Sequence, residues 1–265
     1  MGEIFRRGVL DSRRGLGAWC VGVAAYSLLL AAIFPSIEGS PQLDQLIESY
    51  PDALKSLFGI SGAGISSGAG FIDAELFGLM LPLFALVLGI GTGARTLAGE
   101  EESGRLELVL AHPVRRRYVV LAKGAALAIE LIVFAAATFA ALAIASPVFG
   151  LDLSLGKLAG AAAGVGLLGL FHGYTALAVG AAVPNRALAI GCAAALAAGA
   201  YLVSGLHELA SWLDPFRFLS SFWWLGQAPL QNGVEPWGLL VVGLAAVAAL
   251  AAGAALIDRR DLATP

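Results

Sequence analysis

Six apolar runs, each long enough to cross a lipid bilayer as a helix, restrict what this chain can fold into. A bilayer core of about 30 Å requires roughly 20 apolar residues per transmembrane helix. The six runs span residues 16–34, 76–94, 119–146, 158–183, 187–204 and 237–257. We therefore predict an all-α integral membrane protein with six transmembrane helices, arranged as a single domain over residues 1–265.

The composition agrees with this class and argues against a separate soluble domain. Hydrophobic residues make up 58% of the chain and charged residues only 13%, whereas soluble domains carry about 25% charged residues. The first apolar run is longer than the roughly 7 to 15 apolar residues of a signal peptide and has no A-x-A-like site after it, so we expect it to be retained. Cys20 and Cys192 lie within apolar runs, which favours packing roles over a disulfide or a zinc site.

The basic residues predict the orientation of the helices, because cytoplasmic loops carry an excess of Lys and Arg. With the N-terminus inside, all of the 16 Lys and Arg residues except Lys55, Lys157 and Arg217 fall in cytoplasmic segments. We therefore predict that both termini are cytoplasmic.

The N-terminal segment and the first extracytoplasmic loop carry helical patterns of their own. In residues 1–14, apolar side chains lie near one helical face among arginines, which is typical of a short helix on the cytoplasmic membrane surface; a basic tail that only sets topology is the alternative. In the extracytoplasmic loop 35–75, apolar residues recur at helical spacing and predict amphipathic helices. The glycine- and serine-rich run 59–70 is expected to join them to the second transmembrane helix.

A second extracytoplasmic loop, 205–236, is rich in aromatic residues. Tryptophan prefers the headgroup level of a membrane, so we expect this loop to re-enter the membrane or to line the outer interface. An aromatic platform for a substrate is the alternative. The aromatic residues are Trp212, Phe216, Phe218, Phe222, Trp223 and Trp224.

The fourth run contains glycines at a spacing that allows close helix packing. Gly160 with Gly164, and Gly169 with Gly173, are two small-xxx-small pairs. Packing inside the subunit and packing across a dimer would use the same feature.

Motifs of intrinsic catalysis are absent. The sequence has no G-x-x-x-x-G-K-[ST] phosphate loop and no HExxH, CxxC or GxSxG motif. We therefore predict no enzyme active site, no metal site and no cofactor in this chain. Two polar residues inside helices, Glu130 and His172, are candidates for a cargo or proton route, because such groups are costly in a bilayer. Buried, hydrogen-bonded packing contacts are the alternative for both.

The longest charged interval, 95–118, separates the second and third apolar runs. It predicts a short amphipathic cytoplasmic helix from Glu101 to Ala111, with acids at its positive N-terminal end and Pro113 after its C-terminal end. Leu106, Val109 and Leu110 would form an apolar face suited to a groove on a partner protein. A solvated loop would explain the arginines but not this face.

At these residues the chain resembles the ABC type-2 exporter permeases. Their cytoplasmic signature combines acidic residues, a glycine, an L-x-L-L-L-A-like helix, a proline, and an arginine pair that leads to a lysine. The matching positions are Glu101, Glu102, Gly104, Leu106, Glu107, Leu108, Leu110, Ala111, Pro113, Arg116 and Lys123. Weaker matches are Asp214, Pro215 and Phe216, then Pro229 and Leu230, and the terminal run 258–262.

The resemblance implies a permease subunit of an exporter in the plasma membrane, with the helix between transmembrane helices two and three as a coupling helix. It implies a separate ATPase subunit that binds ATP and Mg, a second identical or related permease subunit, and contact with membrane lipid but not nucleic acid. It also implies a hydrophobic or amphipathic cargo, such as a drug, an antibiotic or a lipid. His112 and Arg115 depart from many relatives, which leaves partner specificity open.

Two other functions are compatible with the residues themselves. A membrane anchor or assembly factor could recruit a cytoplasmic partner through the same loop without moving a cargo. A stand-alone, ion-coupled carrier would require more intramembrane charge than Glu130 supplies, together with inverted repeats.

Overall fold

The computed structural model describes residues 2–40, 45, 49–51, 54–55, 65–106 and 115–259. Within these residues, six long helices are long and apolar enough to cross a membrane, which confirms the predicted all-α, six-helix membrane architecture. The six long helices are α1 (Gly2–Ile33), α2 (Gly68–Glu102), α3 (Arg116–Phe149), α4 (Leu155–Ala182), α5 (Arg186–Leu206) and α8 (Pro236–Asp258). Two short helices, α6 (Ser221–Leu225) and α7 (Pro229–Asn232), lie between α5 and α8.

Contacts between helix ends define two ends of the bundle. At one end, α2 finishes beside the beginnings of α3 and α5, and Leu106 packs on Ile257 near the end of α8. At the other end, the first residue of α2, Gly68, lies against the backbone of Leu151 in the turn between α3 and α4. We call these the termini end and the far end.

α4 is the central helix of the bundle. It packs against α2, α3, α5 and α8, and it is the most buried of the six long helices. Leu158, Leu168 and Leu177 are almost fully buried along its length. Four long helices therefore surround α4, and α1 packs on α3.

Glycines let α2 and α4 approach each other through their backbones. Gly89 and Gly93 of α2 lie directly against the backbones of Gly169 and Gly173 of α4. A Cβ atom on Gly173 would lie 2.8 Å from the carbonyl oxygen of Gly89, closer than side-chain contacts allow. The first predicted pair also packs within the chain: Gly160 faces Val234, and Gly164 faces side chains such as Leu225. These four glycines of α4 thus contact other parts of the same subunit.

Two helix boundaries differ from the sequence-based expectation. Residues 2–14 are the first turns of α1 and not a separate surface helix, because Gly8 and Ser12 pack inward and continue the helix. The second membrane helix begins at Gly68, so 68–75 is helical and not part of the loop. The Ser67 hydroxyl caps it by accepting a hydrogen bond of 3.1 Å from the Gly70 amide.

The structure describes the two predicted extracytoplasmic loops to different extents. Most of 41–64, where amphipathic helices are predicted, lies outside the described residues. The aromatic loop 205–236 contains a 3-10 helix, Asp214–Leu219, followed by α6 and α7. Trp212 and Phe216 are exposed on it, whereas α6 and α7 pack between the long helices; its position at the outer interface stays a prediction.

Candidate coupling and translocation sites

The acidic residues of the charged interval finish α2 and do not begin a new helix. A π-helical segment, Arg95–Gly99, carries α2 directly into Glu100–Glu102. The prediction of a helix that starts at Glu101 is therefore wrong at its start, and the helix-dipole argument that supported it does not apply. Ser103 and Gly104 form a turn, in which Gly104 has a left-handed φ of 70° that favours glycine. Helical residues resume at Arg105.

Two of these acids bind other helices of the same chain. The Lys123 ammonium group of α3 lies 2.5 Å from Glu100 Oε2, and the lysine side chain is only 7% exposed. Glu102 Oε1 accepts a hydrogen bond of 2.8 Å from the backbone amide of Arg186. A carboxylate is favourable there, because Arg186 begins α5 and its first amides lack intrahelical partners. The end of α2 is thus tied to the starts of α3 and α5.

Leu106 is buried and does not lie on an exposed docking face. It is 1% exposed and packs with Leu97, Val119, Leu177 and Ile257. This corrects the expectation that it would face a partner protein. The physical reason is that the turn at 103–104 folds the chain back over the termini end, where apolar residues of four helices meet.

The remaining predicted coupling residues divide into two groups. Arg116 is the first residue of α3, and Glu101 is partly buried near the end of α2. The others lie outside the described residues, so their predicted role in binding a partner stays a prediction: Glu107, Leu108, Leu110 and Pro113.

Glu130 is held inside a polar contact between three helices. It lies 14 residues after the first residue of α3, about 21 Å along the helix axis, and is 3% exposed. Thr92 of α2 donates a hydrogen bond of 3.2 Å to its Oε2 atom. Ser12 of α1 also hydrogen-bonds this carboxyl group. These contacts satisfy the buried acid, as an intramembrane polar group requires.

His172 is fully buried in α4 and contacts the loop that precedes α8. Its Nε2 atom lies 3.1 Å from the Ser221 hydroxyl of α6. The ring packs edge-on against Phe171 at 4.8 Å between centroids and also faces Phe222. Its Nδ1 atom has no hydrogen-bond partner among the described residues. The histidine therefore joins α4 to α6.

An apolar groove of about 440 Å³ lies between α2 and α5. Leu83 and Val87 of its lining are exposed, which places the groove on the outer surface of the bundle within the membrane-spanning segments. Almost all groups that line the groove are hydrocarbon. The lining residues are Leu79, Pro82, Leu83, Leu86, Val87, Ile90, Gly91, Ile190, Ala194, Ala197, Ala198, Tyr201 and Phe222. Neither Glu130 nor His172 lines it. Sequence reasoning missed the groove, since runs of aliphatic residues carry no sign of which neighbours leave a gap.

A smaller cavity of about 70 Å³ lies nearer the far end, between α2, α4, α5 and the loop that holds α6 and α7. Pro82, Tyr201 and Phe222 border both the groove and this cavity. Ser204 and Gln227 add polar groups to the lining. Glu130 and His172 do not line this cavity either.

These observations define a multi-pass plasma membrane protein that has a helical bundle with a surface groove and no phosphate-binding loop. The chain belongs to the ABC-2 family transporter proteins, whose family model matches residues 4–262. It is thus a permease subunit of an ABC transporter, of the kind that works with an ATPase subunit. A search of curated proteins found no match.

Proposed function

We propose that this chain is the permease subunit of an ATP-driven exporter that moves a hydrophobic or amphipathic cargo, such as a drug, an antibiotic or a lipid, out of the cytoplasm. A separate ATPase subunit supplies the energy by binding ATP and Mg. The observation that carries the proposal is the apolar groove between α2 and α5, in a chain whose family forms the membrane part of ABC transporters.

The chemistry of the groove supports a cargo with a large apolar part. Burial of apolar surface contributes about 25 cal/mol per Å², and a groove of about 440 Å³ has the size of a pocket for a drug-sized molecule. The phenol of Tyr201 is the principal polar group in the lining. An amphipathic molecule could place its hydrocarbon against the aliphatic residues and its polar group near Tyr201.

The ATPase subunit is proposed to bind at the termini end, which the excess of basic residues predicts to be cytoplasmic. The segment 107–114 would contact it, because this segment connects α2 to α3. The bonds from Glu100 to Lys123 and from Glu102 to Arg186 hold α2, α3 and α5 together beside that segment. A displacement of the segment would therefore move three membrane helices and not one. A second permease subunit, identical or related, would complete the transporter.

The groove is tested by filling it. Ala194 of α5 lines the groove, whereas Ala195, the next residue, is exposed and does not line it. The tagged chain is purified from its native membranes, the P-loop ATPase that co-purifies is identified, and the complex is reconstituted into vesicles. We expect Ala194→Trp to reduce cargo-stimulated ATP hydrolysis and export of a fluorescent hydrophobic cation at least tenfold.

Ala195→Trp is the matched control and should leave both activities within twofold of the parent complex. Equal activity of the two tryptophan variants would contradict a cargo site in the groove. Absence of any ATPase from the purified material would contradict the exporter proposal itself and favour a membrane anchor.

A further inference from the structure

The chain between α5 and α8 folds into a cap over the small cavity at the far end. We define the cap as residues 220–233, which contain α6 and α7. Phe222, Leu225 and Gln227 of the cap line the cavity from one side, and α2, α4 and α5 line it from the others. Leu225 is 9% exposed and packs on Leu168 and Val242. The cap therefore closes one side of the cavity.

Asp73 of α2 makes the densest set of contacts to this cap. Its Oδ1 atom accepts a hydrogen bond of 2.9 Å from the Leu230 amide. Its Oδ2 atom accepts bonds of 3.1 Å from Leu230 and 3.0 Å from Gln231. The side chain is 1% exposed. Leu230 is the second residue of α7, where an amide lacks an intrahelical acceptor, whereas the Gln231 amide also donates to the Ala228 carbonyl at 3.1 Å. Hydrogen bonds to a carboxylate are among the stronger ones in proteins.

Side chains and carbonyls of α4 and α5 make further polar contacts with the cap. The Ser220 hydroxyl donates a hydrogen bond of 2.6 Å to the Ala200 carbonyl of α5, and Ser221 meets His172 of α4. Lys157 of α4 donates to the Gln231 carbonyl at 2.5 Å. The cap is thus held both by apolar packing, of Leu225 on Leu168 and Val242 and of Leu230 in the main core, and by directional polar bonds.

The backbone of the cap has points at which it can pivot. Gly226 and Gly233 flank α7 with φ values of 78° and 85°, a region that glycine adopts freely. Ala228 has a φ of 50°, which is unusual for a residue with a Cβ and must be held by its surroundings. The Asp73 segment of α2, Asp73–Phe77, is itself π-helical, a local form that is frequent at functional sites.

We propose that Asp73 is a positioning residue that latches the cap to α2, and that release of this latch opens the cavity at the far end to water. The four-residue helix α7 cannot hold its place by its own hydrogen bonds, because helices of that length are unstable alone. The carboxylate accepts from the Leu230 and Gln231 amides and joins α7 to the same helix that ends in the Glu100 and Glu102 contacts. The proposal concerns the resting subunit and is independent of cargo and ATPase.

The test measures how fast a buried cysteine reacts with a water-soluble maleimide. The two native cysteines, Cys20 and Cys192, are replaced by alanine, and Leu225→Cys is introduced as a reporter on the inner face of the cap, which lines the cavity. In the purified protein we expect Asp73→Asn to raise the labelling rate of this reporter about tenfold. Glu75→Gln is the matched control, since Glu75 lies in the same π-helical segment but is exposed; it should leave the rate unchanged.

A second reporter distinguishes a local opening from general unfolding. Leu142→Cys places a thiol in the main core of the bundle, where Leu142 is fully buried. Its labelling rate should not respond to Asp73→Asn. An unchanged rate at Leu225→Cys would overturn the proposal. So would an equal rise at both reporters, because Asp73 would then be a general stability residue and not a latch.

The unmodified chain gives an independent measurement that does not depend on a folded variant. Hydrogen exchange should find the amide of Leu230 protected at least tenfold more than the amides of the exposed residues before Ser220. Exchange of the Leu230 amide at the rate of an open loop would contradict a latch at Asp73.

Discussion

Gly169→Ala tests whether the close approach of α2 and α4 determines the stability of the bundle. A Cβ atom at position 169 would lie 2.7 Å from the Ala85 carbonyl oxygen and 2.7 Å from Leu131 Cδ1. The end of the leucine side chain can rotate away, but the carbonyl belongs to the backbone of α2. Ordinary contact begins at about 3.4 Å, so α2 and α4 must separate by about 0.7 Å at this point.

The cost follows from packing. An added methyl group in a well-packed interior costs about 1–3 kcal/mol. Replacement of glycine by alanine in a helix also stabilises the fold by up to about 1 kcal/mol, because alanine has the higher helix propensity. Gly164→Ala is the matched control in the same helix: Gly164 is also buried, but its added Cβ would lie 3.5 Å from the nearest atom, Leu225 Cδ2. Comparison of the two variants removes the propensity term.

The assay is equilibrium unfolding of each purified variant in detergent. We expect the free energy of unfolding of Gly169→Ala to be about 1–3 kcal/mol lower than that of Gly164→Ala, with the difference assigned to overpacking. If Gly169→Ala is as stable as Gly164→Ala, the helices can separate without cost, and the assignment of these glycines to tight packing is refuted.

Two further predictions concern the termini end and the membrane interior. Leu106→Asp should lower the free energy of unfolding by about 3–5 kcal/mol, since it removes a buried leucine and leaves a polar group in an apolar cluster. Leu110→Asp should abolish pull-down of the ATPase subunit, and retained pull-down would contradict the coupling role of 107–114. Glu130→Gln should keep the Thr92 contact and leave cargo-stimulated ATP hydrolysis within twofold; a large loss of activity in a protein of normal stability would instead place Glu130 on the cargo route.

The sequence predicts the position of the charged interval correctly but not the role of its acidic residues. It located the interval between two membrane helices correctly, because the hydrophobic pattern changes sharply there. It assigned Glu100 to Glu102 to the wrong helix end, since an acidic run is compatible with the start of one helix and with the end of the previous one. Only the contacts of Glu100 with Lys123 and of Glu102 with the Arg186 amide distinguish the two.

The contact between Asp73 and α7 could not be predicted from the sequence, for a different reason. In the sequence it is one acid at the edge of an apolar run, and nothing nearby indicates a partner. Its partners, the amides of Leu230 and Gln231, lie 157 and 158 residues away along the chain. Backbone amides carry no side-chain signature, so no residue pattern could have indicated this contact.

The sequence by itself determined the class of this protein and the number of its membrane helices. A bilayer imposes a length and a polarity on each spanning helix, and both properties can be read from one segment at a time. The tertiary structure alone decided which glycines meet, where the groove and the cavity lie, and which acids bind inside the chain. Those features depend on pairs of residues from different helices, and a small change in the angle or register of two helices would rearrange them while every segment kept its hydrophobicity.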